Sequence, residues 1–461
     1  MKRRVLVLGL DAAPPELLFK KFLDELPNLS ELIKSGIHAP MRSCHPPITI
    51  PAWMVMMTGK SPGRLGLYGF RHRKPGSYAE YYIANSLSIK EPAVWDIAGK
   101  QGLKSCLVSI PPSYPPKPVN GWLISCFITP SAQNPYTYPR PLKLEIQKLV
   151  GDYIFDVEFR TEQRHKLLRE LYEMTAQHFK VINYLAEHKP WDFFMFVEIG
   201  LDRVQHAFWK FFDPEHHLYV PNSEFATVIE DYYKFLDQKI GELLKKAGDN
   251  LAVIVVSDHG AKRMKGAFCI NQWLAEEGLL ALKKPEQVVD LEKAKVDWEK
   301  TIAWGWGGYY ARIFLNVKGR EPKGVIPPED YESMRDEIAD RIKGICDEQG
   351  RPMKNIVLKP EEIYPVLNGD PPDLMVYFDD LYWRSAGTVG HPSIYLPEND
   401  KGPDDAVHSF HGVFAVTDME GSLPKMELSE ISILDIAPTI LKLLGLEVPE
   451  DLEGRPLSQV S

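Results

Sequence analysis

The sequence has no apolar run long enough to cross a bilayer, no paired-cysteine motif and no basic run long enough to track a phosphate backbone, and each absence excludes a class of protein. Without an apolar stretch of about 20 residues there is no helical membrane span. Its five cysteines, Cys44, Cys106, Cys126, Cys269 and Cys346, are scattered and odd in number, which argues against a disulfide framework and against a thiolate zinc site. A reducing, cytoplasmic setting is expected. The formal net charge of -9 and the lack of Lys or Arg runs leave no electrostatic footprint for polymeric nucleic acid. The start, basic from Met1 to Arg4 and apolar from Val5 to Leu10, is cut short by Asp11 before it could form a signal peptide. What remains is a chain of 461 residues, 44% hydrophobic, able to bury a large core.

Continuous β-branched runs at Val5–Leu10, Cys106–Ile110, Phe193–Val197 and Leu251–Val256 read as strands covered on both faces. Helical spacing of apolar residues marks 162–187 and 223–246. This alternation predicts an α/β/α three-layer sandwich around a mixed, mainly parallel sheet, with 1–461 as one domain. Residues 275–400 read as an inserted cap or substrate-binding segment, with a further insertion at about 110–190. The prolines of Ile110–Pro118 exclude a regular helix there, and Ala311–Val317 reads as a strand.

Three strand ends carry candidate metal ligands. Asp11 follows the first strand, either as a turn or cap aspartate or at the ligand-binding edge of an open sheet. Asp258 and His259 follow the fourth, joining a hard oxygen to an imidazole, with Gly260 expected to allow a sharp turn. Asp202 and His206 lie four residues apart after the third, on one face if helical. His408 and His411 precede the apolar stretch Val413–Val416, and either could complete a three-ligand site. Thr49, flanked by Pro46, Pro47 and Pro51, opens a helix ending near Thr58 and Gly59, either as an N-cap or as a nucleophile. Lys60, Arg64, Arg203, Lys262 and Lys265 are basic residues near these motifs, and Trp304, Trp306, Tyr309 and Tyr310 could pack a core or stack on a substrate ring.

Six segments carry a resemblance: VLVLGLDAAPPELL at Val5–Leu18, LPNLSELIKSG at Leu26–Gly36, PPITIPAWMVMMTGKSPGRLGLYGF at Pro46–Phe70, DRVQHAFW at Asp202–Trp209, VSDHG at Val256–Gly260, and ILDIAPTILKLLGLEVPEDLEGRPL at Ile433–Leu457. In this order they resemble the alkaline phosphatase superfamily, within it the type I phosphodiesterase and nucleotide pyrophosphatase branch. The resemblance implies one divalent metal, zinc or alternatively manganese, on Asp11, Thr49, Asp258 and His259. It implies a second on Asp202, His206 and a late histidine. A histidine four residues before a glycine that leads into a strand fits the family pattern, which favours His408 over His411 and leaves His391 third. The implied activity is hydrolysis of a small-molecule phosphoester through a phosphothreonine at Thr49. Runners-up are a phosphomutase like the cofactor-independent phosphoglycerate mutases and a catalytically silent, metal-stabilised binding protein. One departure is Ala52, where nucleotide pyrophosphatases commonly have an asparagine that holds a phosphoryl oxygen. Cys44 lacks the arginine of a sulfatase motif, so sulfatase activity is not expected.

Overall fold

The computed structural model describes residues 3–283 and 285–460. At its centre Arg4–Leu10 lies between Phe193–Glu198 and Leu251–Val256, parallel to both. Ser105–Val108 and Gly121–Ile124 continue the sheet in parallel on one side. On the other side His411–Asp418 pairs antiparallel with Leu251–Val256, and Ile37–Arg42 pairs antiparallel with it in turn. Short strands at Thr137–Tyr138, Met426–Glu427 and Ile431–Ser432 complete a mixed, mostly parallel sheet.

Apart from Arg4 and Glu198 at their ends, the central strands are apolar because the sheet has no solvent face, yet the pleat still sorts their side chains with period two. Leu6, Leu8, Leu10, Phe194, Phe196, Val253 and Val255 join one core. Val5, Val7, Phe193, Met195, Val197, Ile254 and Val256 join the other. The first core lies under helices Pro27–Lys34, Arg164–His188, Gly200–Phe212 and Val228–Ala247, the second under Thr49–Thr58, Val94–Lys100 and Ile436–Leu443. The result is the expected three-layer, alkaline phosphatase-like sandwich. Each fully buried aliphatic side chain contributes about 1.5–3 kcal/mol.

Element limits differ modestly from expectation. The helix foreseen from residue 223 begins at Val228, because the Ser223 hydroxyl accepts the Phe225 amide and holds a turn there. The stretch after Ile110 is irregular, as its prolines require, but Ile110, Pro111 and Pro112 are buried. A second, antiparallel sheet is built from Ala303–Trp306, Ala311–Leu315, Leu374–Tyr377 and Ile356–Leu358. It has its own core around Trp304, Phe314, Ile338 and Val376.

Sheet register brings the predicted residues together. Leu10 is opposite Glu198 and Gly9 opposite Val256, so three parallel strands end at one level. Asp11, Ser257–Asp258 and the helix opening at Gly200 emerge from that edge. Two successive antiparallel pairings return Ile37–Arg42 to the direction of Leu251–Val256, so its end also feeds this edge and leads to Thr49.

Candidate metal centre and cavity

Asp202 and His206 share one face of the helix Gly200–Phe212, and His206 Nε2 is 3.2 Å from Asp202 Oδ1. His408 joins them from the strand Ala406–Ser409, which pairs antiparallel with Gly260–Arg263 and sets His408 opposite Ala261. Its Nε2 is 3.9 Å from the same Asp202 oxygen. His259, two residues before Ala261, stacks on His408 with ring centroids 3.8 Å apart. On its other side His259 Nε2 lies 3.2 Å from Asp258 Oδ2, 3.8 Å from Asp11 Oδ1 and 3.4 Å from Thr49 Oγ1. Two neighbouring triads result, Asp11–Asp258–His259 and Asp202–His206–His408, each with donor atoms within 4.8 Å of one another. All six residues and Thr49 are at most 4 % exposed.

The local chemistry fits cations. Asp11 Oδ1, Asp202 Oδ1 and Asp258 Oδ2 are buried with no hydrogen-bond partner among the described residues, and these are the oxygens that face the imidazoles. Each histidine uses its other nitrogen elsewhere. Nδ1 of His206 bonds Asp404 at 2.7 Å, Nδ1 of His408 the Pro47 carbonyl at 2.8 Å, and Nδ1 of His259 the Gly260 carbonyl at 3.1 Å. A carbonyl accepts only from an N–H, so in neutral His259 and His408 the Nε2 lone pair points inward. Buried carboxylate oxygens and imidazole lone pairs aimed at common points are a donor set for zinc or manganese. Trp53 donates its indole N–H to Asp11 Oδ2 at 2.8 Å and orients that carboxylate.

Electrostatics follow from burial and crowding. Burial, with the Asp202 charge added, pushes Asp11 well above the ordinary carboxylate range; burial and Asp11 do the same to Asp258. Burial acts against Asp202 too, but His206 and Arg203 outweigh it and keep that carboxyl low. Burial lowers His259 to about 4 and also lowers His408, keeping both rings neutral. Burial opposes charge on His206, but Tyr309, Asp202 and Asp404 raise its pKa well above the usual value.

The remaining candidates sort cleanly. Thr49 is not a cap: Ile48 holds the N-cap position and Thr49 is the first helical residue, leaving its hydroxyl free of a capping bond. Asp11 caps nothing either, since the next helical turn is preceded by Pro15. His411 is half exposed and bonds Glu430 at 2.7 Å, while His391 bonds Thr388. Gly260 does not adopt a left-handed turn. It is needed for close approach, because a Cβ there would lie 2.2 Å from the His411 carbonyl oxygen. Lys60 pairs with Asp451, Arg64 with Glu91 and Asp451, Lys262 with Asp380 and Lys265 with Asp379. Of the five basic residues, only Arg203 lines the cavity described next.

That cavity, of about 550 Å³, opens over Thr49, Asp202 and His408. The aromatic cluster divides: Trp304 is wholly buried in the core of the antiparallel sheet, whereas Trp306, Tyr309 and Tyr310 form cavity wall. Tyr309 stacks on His408 at 3.7 Å and sets its hydroxyl 3.2 Å from His206 Nε2. Two further residues at the cavity and triads escaped the sequence reading. Asp404 is fully buried and accepts from His206, from Arg160 at 3.0 Å and from Arg384 at 3.4 Å. Its only signal in the sequence is an acidic pair, Asp404–Asp405, opening an apolar strand. Arg312 lines the cavity from within the apolar run Ala311–Leu315, where a lone charge was the available clue.

Among curated proteins, comparison finds no match. The family model for type I phosphodiesterase / nucleotide pyrophosphatase matches residues 5–404, which takes in Thr49, both acidic strand ends, the Asp202 helix and Asp404, and stops four residues short of His408. The chain belongs to the type I phosphodiesterase / nucleotide pyrophosphatase family of the alkaline phosphatase superfamily, a family of metal-dependent phosphoester hydrolases.

Proposed function

We propose that the protein is a two-metal phosphodiesterase that cleaves small organic phosphodiesters through a phosphothreonine at Thr49. The observation that carries this reading is the convergence of three buried, unpartnered carboxylate oxygens and the imidazoles of His206, His259 and His408 beside the Thr49 hydroxyl. Asp11, Thr49, Asp258 and His259 would hold one divalent cation, and Asp202, His206 and His408 the other. When bound, such a pair lowers the pKa of a coordinated hydroxyl and neutralises phosphoryl oxygens. Thr49 Oγ1 loses its proton and bonds to phosphorus while the bond to the esterifying alcohol breaks, and the alcohol leaves protonated. Water then attacks the phosphothreonine, releasing the phosphomonoester and returning a proton to Thr49.

The chain's own groups fix this geometry. The Nδ1 bonds to Asp404, Pro47 and Gly260 hold the three rings in place, and Trp53 holds Asp11. Ala52 offers no side-chain donor, and its amide bonds the Ile48 carbonyl at 2.9 Å. Pro51 has no N–H, so the first-turn amides of Thr49 and Ile50 take the phosphoryl oxygen in place of the family's asparagine. The segment 275–400 serves as the cap that binds the rest of the substrate. The free cysteines, four of them buried, accord with a cytoplasmic location.

The test is hydrolysis of bis-p-nitrophenyl phosphate and p-nitrophenyl phosphate by metal-stripped protein after separate return of zinc, manganese and magnesium. Metal-dependent preference for the diester is expected. Thr49→Ala should keep most of its bound metal and lose turnover; retention of most activity would exclude Thr49 as nucleophile.

A further inference from the structure

Five arginines line the cavity, and their pairing is uneven. Arg203 is matched by Asp156 and Asp202, and Arg160 and Arg384 share Asp404. Arg71 and Arg312 have no carboxylate within ion-pair distance among the described residues. Arg71 is exposed, so water compensates it, whereas Arg312 is only 8 % exposed. Arg73, two residues from Arg71 and buried to a similar degree as Arg312, shows the usual solution by pairing with both Glu321 and Asp370. Arg312 has instead a single donor bond to the Arg71 carbonyl, and its guanidinium lies over the rings of Trp306 at 5.0 Å and Tyr310 at 6.0 Å.

A buried cation without a counter-ion costs several kcal/mol, and one hydrogen bond to a carbonyl offsets only part of that. Burial accordingly pulls the Arg312 pKa below its ordinary value. Arg312 nevertheless forms part of the cavity wall, as does Gly69. Gly69 packs beside the guanidinium, and a Cβ there would sit 3.7 Å from Nη1. None of the carboxylates that share the cavity wall answers Arg312: Asp202 pairs with Arg203, Asp290 pairs with Lys401, Asp400 accepts from Thr388, and Glu292 has no ion pair to Arg312 or Arg71. The contacts of Arg312 are with Arg71, Trp306 and Tyr310, none of which belongs to the cation-ligand cluster.

We propose that Arg312, with Arg71 at its side, forms a second anion subsite in this cavity, for a phosphate or carboxylate carried on the alcohol portion of the substrate. Resting on the phosphodiesterase reading, this narrows the substrate class to diesters that bear an additional negative group beyond the scissile phosphorus. The planar guanidinium supplies paired donors for an oxyanion, and Trp306 and Tyr310 hold it flat and exclude water.

The experiment uses p-nitrophenyl alkyl phosphodiesters in matched sets, ending in hydroxyl, carboxylate or phosphate over a graded series of chain lengths, on wild-type and Arg312→Gln proteins. The readout is the ratio of kcat/KM for charged over uncharged partner, in which any general loss of activity in the variant cancels. Wild type should prefer an anionic terminus by about tenfold or more at one length, and Arg312→Gln should reduce the ratio to about threefold or less. The ratio for phosphate against carboxylate identifies which oxyanion the subsite takes. Turnover of the uncharged diester reports on the phosphodiesterase reading by itself, so its loss and the loss of preference are separate results. Calorimetric titration of the phosphate-terminated alcohol, which needs no turnover, should give about tenfold weaker binding to the variant. No preference by wild type at any length, a preference that survives in Arg312→Gln, or equal binding to both proteins would overturn the subsite.

Discussion

Asp404→Asn provides the sharpest test of how the second triad is held. Asp404 touches no other triad residue directly, but its Oδ1 fixes His206 through a 2.7 Å bond to Nδ1, leaving Nε2 to face Asp202. Loss of such a supporting carboxylate typically lowers metal affinity about 10–100-fold. The structure argues for the lower end, because the Ala406 carbonyl also lies 3.0 Å from His206 Nδ1 and can keep the ring's orientation and tautomer. Asparagine preserves the shape while removing the negative charge that Arg160 and Arg384 share. Of two equivalents of zinc titrated into metal-free protein, one should bind about tenfold more weakly in Asp404→Asn, with the other unaltered. Asp404→Ala, which removes the acceptor entirely, should lie further along the same scale. If both equivalents bind Asp404→Asn as tightly as wild type, the supporting role is wrong. If both weaken together, the two triads are not separate sites.

Other consequences are open to direct measurement. His408→Ala should cost one bound metal and His411→Ala neither, read by metal content after dialysis; the reverse would transfer the ligand to His411. Gly260→Ala should destabilise by about 1–3 kcal/mol in urea unfolding, since the new Cβ meets a backbone carbonyl that can move only with its strand; an unchanged midpoint would show that the strand yields. His178 gives a pH dependence of stability: burial disfavours its charged form, but Glu198, 3.1 Å away, outweighs burial and raises its pKa. That contribution is fully present below the unfolded-state value of about 6.5 and is lost as pH rises through the higher folded value. Unfolding free energy should therefore fall less steeply above neutral pH in His178→Gln than in wild type, and parallel slopes would refute the assignment.

The strands were legible because their chemistry is local: six-residue β-branched runs ending in Asp or in Asp–His can be read without knowing what lies beside them. What makes those ends a site is the register that puts Leu10 level with Glu198 and Gly9 level with Val256, and no local signal carries it. The choice between His408 and His411 has the same character. Two imidazoles three residues apart offer the same chemistry, and in the sequence only the family-like spacing to Gly412 favours His408; the pairing of His408 with Ala261 is what carries it to the other ligands. Gly260 was anticipated for the wrong reason, since a glycine demanded by a neighbouring strand looks the same as one demanded by a turn. Asp404 and Arg312 were missed because Asp404 holds His206 and Arg160, and Arg312 the Arg71 carbonyl, across 198–244 residues of chain, and an isolated acid or base carries no mark of such a partner.

Charge connects the proposed reaction with the proposed subsite. Asp11, Asp202 and Asp258 place three carboxylates in a fully buried cluster with neutral His259 and His408, an arrangement that mutual repulsion would make costly without cations. On the proposed reading, two divalent cations exceed those carboxylates by one positive charge, which matches the single negative charge of a phosphodiester. Arg203 does not alter that balance, because Asp156 neutralises it. Further along the cavity the excess persists: Arg160 and Arg384 divide one carboxylate, and Arg312 has none. A substrate with only its scissile negative charge would leave this second positive region unanswered, whereas a diester bearing another oxyanion satisfies both. The same distribution disfavours an extended polyanion, since Glu292 and Asp400 stand on the cavity wall and Asp290 already neutralises Lys401 there, leaving no further positive group for additional phosphates.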